Sequence, residues 1–186
     1  MPEQWPVRQL FDLPIAAITM SDTIRLVDKT IADRGSLHIG VVNAAKIVNM
    51  RRDPSLDWSV RTSDVILADG MSVVWASRLL GQRLPERVAG IDLMTEMLRL
   101  AHERGYRVYF LGAKQEVLGR VLDHVRETYP NLVIAGSHHG YYGESDEAGL
   151  ASDIGDAKAD MLFVAMTSPK KEQFLARWAD TLGVRV

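Results

Sequence analysis

An aspartate followed by a glycine, Asp69-Gly70, is the first place in this chain where side-chain type and position could do chemistry. Val65, Ile66 and Leu67 form a short apolar run that predicts a buried strand, and Trp75, Ala76, Leu79 and Leu80 recur at helical spacing behind it. In open α/β sheets ligands gather at the carboxyl ends of strands, and glycine lets backbone or substrate approach closely. A carboxylate there can meet a ligand bound at the strand ends. It can equally cap the helix that starts near Met71. Other stretches repeat the arrangement. Asn43 follows a strand predicted over residues 38–42. Gly112-Ala113-Lys114 follows one over 106–111, as a plain tight turn or as an entry for a phosphate to the next helix N-terminus. The loop at 136–143, with His138, His139, Tyr141 and Tyr142, follows a strand over 132–135. Ser168-Pro169-Lys170-Lys171-Glu172 follows one over 161–165. Proline suits a first helical turn, whereas two lysines suit the positive end of the helix dipole poorly. An anionic ligand would relieve that conflict, and plain solvation of surface lysines would tolerate it.

These groups share one rim only if the strands run the same way, so the connecting elements matter. Ile24, Val27 and Ile31 lie on one face of a first helix entered at Ser21-Asp22, and Ala44, Ile47 and Val48 line a second that runs into Arg51-Arg52. Leu93, Met94, Met97, Leu98 and Ala101 predict a helix ended by Gly105, and Leu118, Val121, Leu122 and Val125 one that stops before Pro130. A polar helix over 146–154 and a last one carrying Phe174, Trp178 and Leu182 complete the series, before a final strand at 184–186. Strands alternating with helices at this pitch predict right-handed crossovers and a Rossmann-like α/β fold, a mainly parallel sheet covered by helices on both faces. The chain is read as one domain over residues 1–186, with 1–37 as an N-terminal arm and first helix and 13–18 as an edge strand or arm.

Composition narrows the chemistry. The 186 residues are 47% hydrophobic and 25% charged, enough for one globular core, and the net charge of −2 with no long basic block gives no electrostatic support for nucleic-acid binding. Without cysteine there is no disulfide framework, thiolate nucleophile or cysteine-ligated metal. No G-x-G-x-x-G follows a strand and no P-loop occurs, which weakens dinucleotide and ATP-hydrolysis readings. No Asp-x-Asp and no histidine pair at i, i+4 is present, and the adjacent His138 and His139 would point apart in extended chain, so no metal is expected. No apolar run approaches membrane-spanning length; the reading is a soluble chain, or one attached to a membrane surface.

The motifs VNAA at 42–45, LADG at 67–70, ERVAGID at 86–92, FLG at 110–112, HGYY at 139–142 and PKKE at 169–172, in that order, resemble the WecG/TagA/CpsF family of bacterial glycosyltransferases over about residues 10–186. The resemblance implies inverting transfer of a hexose or N-acetylhexosamine from a UDP-sugar to a polyprenyl-diphosphate-linked saccharide, for cell-envelope or exopolysaccharide synthesis. It implies the inner face of the cytoplasmic membrane as the place and no metal or other cofactor; a homo-oligomer is a further expectation, from exposed apolar surface. By position it makes Asp69 the general base, Asn43 a substrate-orienting amide and Arg87 a cation facing the donor diphosphate or the acceptor phosphate. Gly70, Asp92, Gly112, Tyr141, Pro169, Lys170, Lys171 and Glu172 then line the donor site. Two departures stand out. Lys171 occupies a position where the family usually has glutamine, and Val41 or Val42 replaces a frequent threonine. The resemblance also implies that a C-terminal segment, which helps dock the membrane and completes the site, lies beyond Val186. The rival readings are a non-catalytic nucleotide-sugar-binding module and a metal-assisted hydrolase using Asp64, Asp69 and His139.

Overall fold

A computed structural model describes residues 5–186; the first four residues of the predicted N-terminal arm lie outside it. The chain opens with a hairpin, β1 (Val7–Leu10) and β2 (Leu13–Ala16), whose two-residue turn holds Phe11 and Asp12 at φ 55° and 63°. Two left-handed residues make the turn that matches the natural strand twist. Helix α1 (Met20–Ala32) begins at Thr19, two residues earlier than expected, because Thr19 and Asp22 cap each other's backbone N–H groups reciprocally. Then come β3 (Ile39–Val42), α2 (Ala44–Met50), α3 (Pro54–Arg61), β4 (Val65–Ala68), α4 (Met71–Leu79) and α5 (Gly90–Arg104). The second half holds β5 (Arg107–Gly112), α6 (Gln115–Thr128), β6 (Val133–His138), α7 (Glu147–Asp156), β7 (Met161–Ala165) and α8 (Lys170–Leu182).

Burial on both faces explains why the strands read as unbroken apolar runs. Val65 and Leu67 of β4 join one core cluster with α1 and α5, while Ile66 and Ala68 join another with α2, α3 and α4. In β5, Val108 and Phe110 enter the first cluster, and Tyr109 and Leu111 pack with α7 and α8. The period of two along each strand therefore places helices on both sides, as the sequence predicts.

The layer is divided, which the sequence did not foretell. One sheet has the order β1-β2-β4-β3 and the other β6-β5-β7, with every pairing parallel except the hairpin. A single core cluster runs beneath both, but β3 and β7 do not pair with each other. Residues 184–186, expected as a strand, instead bridge the two edges at one end: Arg185 accepts from Leu37 N–H (2.8 Å) and Val186 from Leu162 N–H (2.8 Å). Beyond them the edges enclose a cavity of about 470 Å³, walled by Met94 and Met97 of α5 on one face and Leu175 and Ala179 of α8 on the other. Helix α8 also ties the halves together, with Gln173 Nε2 donating to Ser55 Oγ of α3 (3.1 Å).

Candidate active site

The carboxyl ends of β3 and β4 bring Asn43 and Asp69 side by side. Asp69 N–H donates to Val42 O (2.9 Å), continuing the β3–β4 ladder one step past the strands. Asn43 then caps α2, its Oδ1 accepting from Lys46 N–H (2.9 Å), while its Nδ2 donates to none of the described residues. At Gly70 an added Cβ would lie 3.3 Å from Asn43 Cβ, so the two junctions pack as closely as glycine permits.

Asp69 does not cap the helix that follows it. Gly70 is the N-cap of α4 and supplies no side chain. Instead Asp69 Oδ1 accepts from Gly90 N–H at the start of α5 (3.2 Å), and the segment before Gly90 is stitched to β4 by Val88 N–H donating to Ala68 O (2.9 Å). The amide at the positive end of α5 thus faces this carboxylate, while Oδ2 accepts no hydrogen bond from the described residues. Arg87 and Asp92 sit on this same segment as an ion pair (2.8 Å), both well exposed to water.

Facing Asp69 across the gap stands a buried charge cluster from α2 and α8. Lys46 Nζ donates to Val41 O (2.9 Å) and to Glu172 Oε1 (2.8 Å), and both side chains are almost fully buried. Burial alone would push the Glu172 carboxyl up, but the Lys46 hydrogen bond and charge hold it below the ordinary range. Its Oε2 is buried with no hydrogen-bond partner among the described residues. Burial, with the Lys46 charge beside it, lowers the Lys171 ammonium, while Glu172 and Asp69 pull the other way. Burial likewise lowers His38 at the far end of β3. Lys46, Lys171, Glu172, Asp69 and Gly90 all line the cavity between the sheets.

The other predicted residues gather on a second rim. Gly112 has φ 133°, and an added Cβ would lie 2.3 Å from Ala165 O, so glycine is required for β5 to turn against β7. Helix α6 follows with no side-chain N-cap. Gly140 N–H donates to Ala113 O (2.9 Å). Lys170 donates to Gly140 O (3.1 Å) and lies 3.8 Å over the Tyr142 ring, so its charge fastens this loop. Burial, and after it the charge of Glu147, pushes the Tyr142 hydroxyl up to about 12. Tyr141 is exposed, and Pro169 occupies the N-cap of α8.

Two sequence expectations need correction. The His138 and His139 rings do not point apart; the chain leaves β6 at His138, Nδ1 of His138 meets His139 O (2.7 Å), and the rings lie 4.6 Å apart. Asp64 lies at the opposite end of β4 from Asp69, where it accepts from His38 N–H (2.7 Å). A four-residue strand separates the two by roughly 16 Å, so they cannot serve one hydrolytic centre. Among the described residues no group of three or more His, Asp or Glu side chains is placed to hold a metal. Sequence reasoning passed over Lys46 and the Gly90 amide. Lys46 stands three residues after Asn43, a spacing that places it on the inner side of the first turn; the Gly90 contact has no local signal.

The sequence profile of the Glycosyl transferase WecG/TagA/CpsF family matches residues 8–186. Among similar curated proteins, an N-acetylglucosaminyldiphosphoundecaprenol N-acetyl-beta-D-mannosaminyltransferase of Bacillus spizizenii is 35% identical over 68% of this chain and 49% of its own length. Proteins of the same name from Bacillus subtilis (40% identical, 61% of this chain, 44% of the relative) and Staphylococcus aureus (39%, 62% and 45%) are also similar. The chain spans about half the length of the curated relatives it matches.

Proposed function

This chain belongs to the WecG/TagA/CpsF family of glycosyl transferases, and from that premise we propose that it transfers an N-acetylhexosamine, N-acetylmannosamine in the first instance, from a UDP-sugar to a polyprenyl-diphosphate-linked N-acetylglucosamine. The observation that carries the proposal is Asp69: a carboxylate at a strand end, held at Oδ1 by the Gly90 amide, with Oδ2 open to a hydroxyl.

In this reaction the acceptor hydroxyl oxygen attacks the anomeric carbon as the bond from that carbon to the diphosphate oxygen breaks. The hydroxyl proton passes to Asp69 Oδ2, and UDP leaves with the bonding electron pair. One displacement inverts the anomeric centre. A sugar hydroxyl is a weak nucleophile, and a positioned base contributes about 10²–10⁴-fold. Asn43 Nδ2 is placed to orient the sugar beside Asp69, and the buried Glu172 Oε2 offers an acceptor to a substrate donor. Charge on the departing diphosphate is balanced by Lys171, Arg87 and the uncapped N-terminus of α6 past Gly112, with no metal required. The acceptor's lipid tail places the work at a membrane surface; no helix among the described residues is long and apolar enough to cross one.

The test is to incubate the protein with a panel of UDP-sugars and a short-chain polyprenyl-diphosphate N-acetylglucosamine, with and without EDTA, and to detect product by mass spectrometry. Transfer insensitive to the chelator is expected. A melting temperature raised by UDP with no transfer from any donor would select the binding-module reading, and transfer abolished by EDTA would overturn the metal-free mechanism.

A further inference from the structure

Helix α4 starts directly after Asp69-Gly70 and is apolar on two sides. Val73 and Val74 face the core, while Met71, Trp75 and Leu79, at i, i+4 and i+8, form a second stripe open to water. Trp75 is 61% exposed, Leu79 88% and the adjoining Leu80 55%. Such a row on one helix is more than the scattered exposed residues that soluble surfaces carry. Ile91, 71% exposed, stands in the first turn of α5, next to the Gly90 that donates to Asp69. Beside the stripe lies a concavity of about 560 Å³ lined by Arg8, Arg78 and Arg83 with Ala17, Leu84 and Pro85. Neither the Arg78 nor the Arg83 guanidinium has a hydrogen bond or ion pair among the described residues, and the Arg8 guanidinium donates there only to Val7 O.

We infer that this face of α4 docks on an anionic lipid surface. Trp75 and Leu79 enter the interface, where an aromatic ring with a polar N–H is at home. The arginines meet lipid phosphates, and Met71 and Ile91 bring the mouth of the Asp69 site towards the bilayer. Charge decides the occupant: an isologous contact with a second copy would bring two arginine-bearing copies of the same patch together, whereas an anionic surface complements them. The inference rests on the lipid-linked acceptor of the proposed function, and it places a docking face within residues 71–91.

Vesicle co-sedimentation of the 186-residue chain tests it without substrate. Binding is expected to vesicles of phosphatidylglycerol and phosphatidylcholine in equal parts, and to be much weaker with phosphatidylcholine alone. The pair Arg78→Ala/Arg83→Ala should weaken it about thirty-fold, from two charges near the surface, and Trp75→Ser/Leu79→Ser should abolish it at an unchanged melting temperature. All of these variants should still transfer sugar to a short-chain, water-soluble acceptor yet lose transfer to a vesicle-embedded one. Parental binding in the variants, or a stripe whose mutation only dissociates a dimer, would overturn the inference. Vesicle binding without transfer to either acceptor would instead sink the proposed function and leave the docking face standing.

Discussion

The two rims of this molecule are built from the same kind of strand-to-helix junction and use their polar groups in opposite ways. On the β3–β4 rim, Asp69 and Asn43 each engage one atom in the fold and keep another open, Oδ2 and Nδ2. On the β5–β7 rim the groups are consumed internally: Gly112 presses on Ala165, Gly140 N–H donates to Ala113 O, and Lys170 holds Gly140 and Tyr142. A glycine or a lysine at a strand end is therefore not by itself a ligand site. What separates the two is whether the fold leaves valences unspoken for, and by that criterion the proposed proton transfer is assigned to the first rim while the second offers a shaped surface and a helix N-terminus.

The sharpest way to break this contrast is to add one methyl group on each rim. Gly112→Ala should cost about 4 kcal/mol or leave the protein unfolded, because it combines a forbidden φ with a clash against backbone. Gly70→Ala should cost only about 1 kcal/mol, since its φ is negative and the contact is mild. Urea unfolding measures both, and equal costs would erase the distinction. Next in size, Lys46→Met removes the hydrogen-bonded cation of buried Glu172, leaving only Lys171 Nζ at 3.9 Å, and should destabilise by about 3 kcal/mol.

The same bridge makes a pH prediction. The Glu172 carboxyl is held below its ordinary value of 4.5 in the fold, so its contribution to stability is present above that pH and is lost as pH falls through the lower folded value. The stability gap between the parent and Glu172→Gln should therefore close on acidification from about pH 5 downward, measured as urea midpoints; a gap constant over that range would contradict the assignment. The smallest effect belongs to Lys170→Met, which should cost about 1 kcal/mol and speed proteolysis of the loop at 138–143.

The alternation of strand and helix was legible in the sequence because buried parallel strands and one-sided helices leave different periods, as residues 65–68 beside 118–125 show. The Phe11-Asp12 turn was not, because neither residue is the glycine that left-handed backbone normally calls for. Asp53-Pro54 did carry a helix-start signal, an N-cap with proline behind it, that went unread. The division into two sheets could not be read at all, since which edges pair is settled between elements distant in sequence. Adjacent Lys170 and Lys171 look alike in the chain, yet neighbours on a helix do not share a face; one fastens a loop and the other lines the cavity by Asp69.

The central claim is that the open oxygen of Asp69 takes the acceptor's proton. The most direct measurement is the turnover of Asp69→Asn against the parent, on the same UDP-sugar and short-chain acceptor, with melting temperatures recorded beside the rates. The account predicts turnover lower by about 10²-fold or more at a nearly unchanged melting temperature; turnover close to the parent's would contradict it.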